Sequence, residues 1–244
     1  MTGVANDLGP PLKAVSALLS YPDAELQAHI HEVAAVLEPC TELTAEDRRI
    51  LDVFADWIAD TELLEVQAAY VETFDRSKKV SLYLFEHVYG ESRDRGPAMI
   101  ELANAYRECG LEIDARELPD FLPMFLEFLT ELDEPAAREW LAEVGHILQQ
   151  VHVRLIERES HFAAPLRALL CLARLEPVPE ALTQMVSEEV RDDTPAMLDR
   201  TWEEAPVTFG PDQPAMSCGA TKQEPAEQRV QWMDFRDRTG SDRG

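Results

Sequence analysis

The residues of this chain with the greatest potential for chemistry are its six histidines, and their spacing argues against a catalytic or metal site. His29 and His31 lie two positions apart, so on a helix they would point in different directions. Glu143 and His146 match the Glu-x-x-His element of di-metal helix bundles, but such a site needs a second element of that kind and the sequence has none. We therefore predict no metal site. The other three are interpreted as surface or hydrogen-bonded histidines: His87, His152 and His161.

The four cysteines, Cys40, Cys109, Cys171 and Cys218, are isolated from one another. Without a Cys-x-x-Cys pair they indicate neither a zinc site nor a thioredoxin-like redox motif. The sequence also lacks the glycine-rich loops that cradle phosphates and the Gly-x-Ser-x-Gly turn of serine hydrolases. These observations predict a protein that is not an enzyme and needs no cofactor of its own.

The charge balance limits the classes of partner that this chain can bind. With 22 basic and 47 acidic residues the formal charge is −25, which argues against nucleic acids and anionic membranes as partners because phosphate contacts need clustered lysine and arginine. A basic polypeptide suits this charge, although a solvated acidic surface without a specific partner explains it equally well. The sequence has neither a signal peptide nor an apolar run of membrane-spanning length. Scattered cysteines fit a reducing compartment, so we predict a cytoplasmic protein without membrane insertion.

Two short segments interrupt the acidic background, Asp75-Arg-Ser-Lys-Lys79 and Arg93-Asp-Arg95. Two interpretations of them stay open. They are solvated charges at helix ends and in loops, or they hold an acidic or polar part of a partner.

Helical periodicity dominates the chain before residue 190, and sustained alternation of the kind found in strands is missing. For example, Thr44 can cap a helix whose positive end Asp47 stabilises. After residue 191 prolines, glycines and isolated aromatic residues occur without a period. We predict an all-α protein with a single compact helical domain at residues 1–190 and a mostly disordered tail at 191–244.

The most distinctive stretch runs from Glu117 to Leu129, where apolar residues after Asp120 fall on nearly every side of a helix. Such a helix is either central in a helical domain or lines a groove that receives something apolar. We predict Asp120 as the N-cap, because Pro123 would then lie in the first turn, where its missing N–H has no helical partner to lose.

Three segments, residues 70–87, 90–96 and 117–123, together resemble the NarJ family, the assembly chaperones of membrane-bound respiratory nitrate reductase. The resemblance covers roughly residues 10 to 210. The chain is similar, more distantly, to the TorD and DmsD chaperones of molybdenum enzymes. Those relatives carry histidine where this chain has Phe121, so a role of that histidine does not transfer.

The resemblance implies an all-helical chaperone that binds the N-terminal segment of the reductase's catalytic (alpha) subunit in the cytoplasm. It implies that this subunit is held until its molybdenum cofactor and an iron–sulfur cluster are inserted, before membrane anchoring. Two alternatives stay open. One is a proofreading chaperone for another exported molybdenum enzyme, and the other is a helical metal-binding enzyme with an unrecognised site.

On this basis we hypothesise a peptide-binding groove beside the apolar helix, although several of its aromatic residues are expected to be core instead. Asp120 either caps its own helix or receives a basic residue of the peptide. The candidate groove residues are Tyr70, Phe74, Arg76, Tyr83, Asp120, Phe121, Met124, Phe125 and Phe128.

Overall fold

The computed structural model describes residues 7–90, 92–113, 117–175 and 178–194, together with Met197. Within these residues the predicted all-α class is confirmed. The α-helices are α1 (Gly9–Leu19), α2 (Ala24–Ala35), α3 (Ala45–Asp60), α4 (Leu63–Phe74), α5 (Leu84–Tyr89), α6 (Arg95–Glu108), α7 (Leu122–Thr130), α8 (Glu134–Glu157), α9 (Ala163–Leu172) and α10 (Glu180–Ser187). A 3₁₀ turn, Lys78–Val80, lies between α4 and α5.

The chain divides into two units, Met1–Asp192 and Asp193–Gly244. The predicted disordered tail, apart from residues 191–194 and Met197, lies outside the described residues. None of the helices in the described ranges is long and apolar enough to cross a membrane.

The core of the first unit is built on α1, which packs against α7, α9 and α2. Leu12, Val15 and Leu19 of α1 have no exposed surface. Their three- and four-residue spacing keeps them on one side of the helix, where burial of apolar surface stabilises the packing. A buried polar contact fixes the pairing of α1 with α7, because the Ser16 hydroxyl donates to the Pro123 carbonyl oxygen at 2.8 Å.

Helix α7 is central rather than groove-lining. It packs between α1 and α8, which accounts for apolar residues on nearly every side. Phe125 and Phe128 contact Trp140 of α8, with ring centroids 5.9 and 5.3 Å apart. On another side Phe128 contacts Tyr106 of α6 at 4.7 Å. The exposed residue on this helix is Glu127, so α7 offers little surface for a partner.

The start of α3 confirms the predicted cap and connects α3 to α9. The Thr44 hydroxyl accepts from the Asp47 N–H at 3.2 Å, and Asp47 Oδ2 accepts from the Thr44 N–H at 2.9 Å. Asp47 Oδ1 also accepts from Arg167 Nε of α9 at 2.9 Å. Burial raises the pKa of Asp47, but the hydrogen bonds from Thr44 and Arg167 outweigh burial and lower it to about 2.

We expect Asp47→Asn to lower the free energy of unfolding at neutral pH by about 2 kcal/mol, since one pKa unit is worth about 1.4 kcal/mol. Because the folded-state pKa lies below the ordinary 3.8, this stability is full above about pH 4 and is lost as the pH falls toward about 2. Urea denaturation between pH 7 and pH 2 measures it. Asp52→Asn, on the exposed side of the same helix, is the matched control. An Asp47→Asn effect that stayed constant across this pH range would contradict the assignment.

Candidate functional site

A short antiparallel backbone pairing joins the start of α5 to the start of α7. The Leu122 N–H donates to the Leu82 carbonyl oxygen at 2.8 Å, and the Leu84 N–H donates to the Asp120 carbonyl oxygen at 3.0 Å. Tyr83 and Phe121 lie opposite each other in this pairing. Two segments that are distant in sequence therefore present their aromatic side chains side by side.

Asp120 is not the N-cap of its own helix, and that prediction is wrong. The N-cap of α7 is Phe121, which makes no side-chain capping bond. Asp120 instead accepts from the N–H of Phe85, in the first turn of α5, at 3.0 Å through Oδ2. The chain pairing at Leu82 places its carboxylate beside α5 rather than along α7. Sequence alone assigned the cap to the nearest helix, and the structure assigns it to another.

Asp120 has no exposed surface, so the predicted contact with a basic peptide residue is not available in this conformation. The nearest cation is the Arg95 guanidinium, 3.6 Å from Oδ2. Burial raises the pKa of Asp120, and the Phe85 N–H and Arg95 only partly offset this effect. Arg95 also lies 3.6 Å from Glu86, so it connects the 90–96 segment to both carboxylates.

Tyr83, Phe121 and Met124 are the predicted apolar groove residues that remain half-buried and can meet a partner. The rings of Tyr83 and Phe121 lie 5.4 Å apart. Met124 follows Phe121 on the first turn of α7. Leu118, three residues before Phe121, is 48% exposed. We call Tyr83, Phe121 and Met124 the aromatic ledge.

Two carboxylates lie beside the aromatic ledge. The Tyr83 hydroxyl donates to Glu117 Oε2 at 2.7 Å. Burial and this hydrogen bond raise the pKa of Tyr83. Burial and the nearby Glu117 carboxylate raise the pKa of Asp75. Burial and the Glu117 charge thus both disfavour the ionised form of Asp75, and a nearby cationic group would oppose them.

Four of the predicted groove residues belong to the core instead. Tyr70, Phe74, Phe125 and Phe128 are each at most 6% exposed. Tyr70 also donates its hydroxyl to the Leu19 carbonyl oxygen at 3.0 Å. In this conformation these four side chains are enclosed by the protein itself.

Arg76 is the predicted residue that faces solvent most openly. Its guanidinium lies 3.4 Å from Glu72 one turn earlier, a surface pair of small energetic weight. Arg76 and Glu72 together close one end of a groove on the outer side of α4.

This outer groove of α4 was missed from the sequence. Leu64, Ala68 and Val71 form its floor with Tyr21, and its volume is about 360 Å³. Leu64 is 79% exposed, Tyr21 52% and Val71 37%. The signal was present, because α4 carries a second apolar stripe at i, i+4 and i+7 beside the stripe that enters the core. We call Tyr21, Leu64, Ala68 and Val71 the α4 groove.

The histidines do not converge in the described residues, and no group of three or more histidine, cysteine or acidic side chains there could hold a metal ion. His146 is exposed and Glu143 half-buried. His152 is buried, which lowers its pKa to about 4 with help from the charge of Arg167. The absence of a metal site therefore stays a prediction.

Comparison with known families shows that residues 40–168 match the family described as "Nitrate reductase delta subunit". This match covers the whole of α4, α7 and α8. It also includes all three segments on which the sequence resemblance rests, because they lie between residues 70 and 123.

Individual relatives agree with that family. The nitrate reductase molybdenum cofactor assembly chaperone NarJ of Escherichia coli strain K12 is 42% identical over 208 residues, covering 85% of this chain and 87% of the relative. The probable chaperone NarW of the same strain is 40% identical over 210 residues, covering 86% and 87%. A probable NarJ of Bacillus subtilis is 31% identical over 160 residues, covering 64% and 84%.

We expect Phe125→Ala to lower the free energy of unfolding by about 3–5 kcal/mol, because it leaves a cavity between α7 and α8. Met124→Ala, on the half-buried side of the same turn, should cost only about 1 kcal/mol. Urea denaturation at neutral pH measures both. Equal losses at the two positions would contradict the division between core and ledge.

Proposed function

The chain belongs to the nitrate reductase delta subunit family, and we propose that it acts as a chaperone in nitrate reductase assembly by binding the N-terminal segment of the catalytic subunit. The family membership rests on the match over residues 40–168 and on relatives 40–42% identical over most of their length. Those relatives are named as molybdenum cofactor assembly chaperones, so the family is not one of catalysts.

The observation that carries the peptide-binding proposal is the exposed apolar floor of the α4 groove. Leu64 and Val71 lie seven residues apart, which is about 10 Å along a helix at about 1.5 Å per residue. This length matches two turns of an amphipathic helix, the usual occupant of a hydrophobic groove. Exposed apolar patches of this kind commonly mark interaction sites.

Charge supports a basic segment as the occupant. Glu65 and Glu72 flank the exposed face of α4, and Asp75 with Glu117 lies past its C-terminal end. Burial and the Glu117 charge raise the pKa of Asp75, and a lysine or arginine of the bound segment would offset both effects. The overall charge of −25 would also speed the encounter with such a segment.

In this proposal the protein acts by staying bound to the N-terminal segment of its client, not by catalysing a reaction. The apolar face of the basic N-terminal segment lies in the α4 groove, and the segment extends toward the aromatic ledge, where Tyr83, Phe121 and Met124 make adaptable contacts. While it is held there, the catalytic subunit remains open to insertion of its molybdenum cofactor and iron–sulfur cluster. These groups are cargo of the client rather than cofactors of this chain. Release precedes membrane anchoring, and we propose that these events occur in the cytoplasm.

We expect Leu64→Asn to weaken binding of the peptide at least tenfold, because about 1.5 kcal/mol or more of apolar contact is lost and no charge is added. The measurement is calorimetric titration with a peptide of the first residues of the nitrate reductase catalytic subunit. Thermal stability should stay unchanged, since Leu64 is 79% exposed.

Ile156→Asn is the matched control, because Ile156 is 54% exposed on α8 and outside the groove. A scrambled peptide controls for composition and charge. Tight binding that survives Leu64→Asn would remove the α4 groove from the proposal. Absence of binding by the folded wild-type protein would overturn recognition of the N-terminal segment itself.

A further inference from the structure

A second, basic site lies where the 3₁₀ turn meets α8, and the chain's own acidic segment covers it. We call Lys79, Arg154 and Arg158 the basic site. A cavity of about 160 Å³ beside them is also lined by Glu157, Val186, Ser187 and residues 189–191. The segment that covers the site runs from Glu189 to Asp192, directly after α10.

Glu189 is held by two cations and its neighbouring backbone by one. Arg154 donates through Nε and Nη2 to the two carboxylate oxygens of Glu189, at 3.1 and 2.9 Å. Lys79 Nζ donates to Glu189 Oε2 at 3.1 Å and to the Val190 carbonyl oxygen at 3.0 Å. A paired guanidinium–carboxylate contact of this kind is among the strongest charge-assisted hydrogen bonds.

Asp192 is held by three different kinds of donor. The Ser77 hydroxyl donates to Oδ1 at 2.6 Å, and Arg158 Nη2 donates to the same atom at 2.9 Å. The Lys79 backbone N–H donates to Oδ2 at 3.3 Å. Hydroxyl, guanidinium and backbone amide thus converge on one carboxylate. The side chain of Arg158 is only 8% exposed, so this donor is held in place by its surroundings.

The covering segment has a weak apolar anchor. Val186 is the buried residue of α10, whereas Met185 is 49% and Val190 68% exposed. The segment is therefore held by its charges more than by burial. A second acidic segment offering the same carboxylates competes with it directly.

We propose that Lys79, Arg154 and Arg158 form a binding site for an acidic peptide of a partner, with two carboxylates three residues apart, and that Glu189 and Asp192 cover this site in the free protein. A peptide fits better than a small anion because Lys79 also binds a main-chain carbonyl. The sequence left open whether the basic segment ending at Lys79 holds an acidic or polar part of a partner. In this proposal Lys79 does so. The site is separate from the α4 groove, which would take a segment of opposite charge.

The test uses the full chain and a fluorescent peptide with the sequence of residues 187–193, Ser-Glu-Glu-Val-Arg-Asp-Asp. In the double variant Glu189→Gln, Asp192→Asn the covering carboxylates are removed. We expect this variant to bind the peptide at least tenfold more tightly than the wild type, measured by fluorescence anisotropy. The tethered segment competes in the wild type at high effective concentration. Adding Arg154→Gln to the double variant should abolish this increase in affinity for the peptide.

Two controls separate this site from general attraction. A peptide with Gln and Asn at the positions of Glu189 and Asp192 should not bind. Glu42→Gln, which removes an ion pair with Arg138 elsewhere, should leave binding at the wild-type level. The proposal is overturned if the folded double variant binds the peptide no more tightly than the wild type does. It is also overturned if the acidic peptide and its Gln/Asn form bind with the same affinity. Should circular dichroism show that the double variant is unfolded, Asp192→Asn alone is judged by the same criteria.

Discussion

The burial of α7 between α1 and α8 is the constraint on which the other surfaces of this protein depend. Phe125 and Phe128 fill the space beside Trp140, and the Ser16 hydroxyl sets the position of α7 against α1. With α7 placed, the backbone pairing of Leu82 and Leu122 positions the start of α5. The packing of the core therefore sets the position of the aromatic ledge, while the side chains of the ledge remain partly exposed to solvent.

Because most of α7 is enclosed, the largest exposed apolar side chains of the described residues belong to other elements, such as Leu64 of α4. Helix α4 serves two purposes through two apolar stripes. One stripe, with Val66, Tyr70 and Phe74, enters the core, and the other remains open beside Tyr21. An open stripe of this kind invites self-association, and a strongly negative surface opposes it. The acidic composition therefore allows the α4 groove to stay exposed while favouring basic segments over further copies of the chain.

Electrostatics is organised by local pairing within this acidic background. Asp47 with Arg167, Glu42 with Arg138, and Glu189 with Arg154 each connect separate parts of the chain. Within the two basic segments of the sequence, Lys79 and Arg95 take part in such pairs, with Glu189 and Glu86. The basic site under Glu189 and Asp192 is the case in which we propose that such a pairing also provides a means of recognition.

The sequence by itself determined the helical class, the capped start of α3 at Thr44 and the family, because periodicity, capping and motif order depend on residues close together along the chain. It also identified α7 as exceptional. It did not determine whether α7 was central, which helix Asp120 caps, or which stripe of α4 stays open. Those depend on which surfaces meet across the fold. The apolar character of Phe125 and Leu64 is similar, and only packing decided that one lies inside and the other faces solvent.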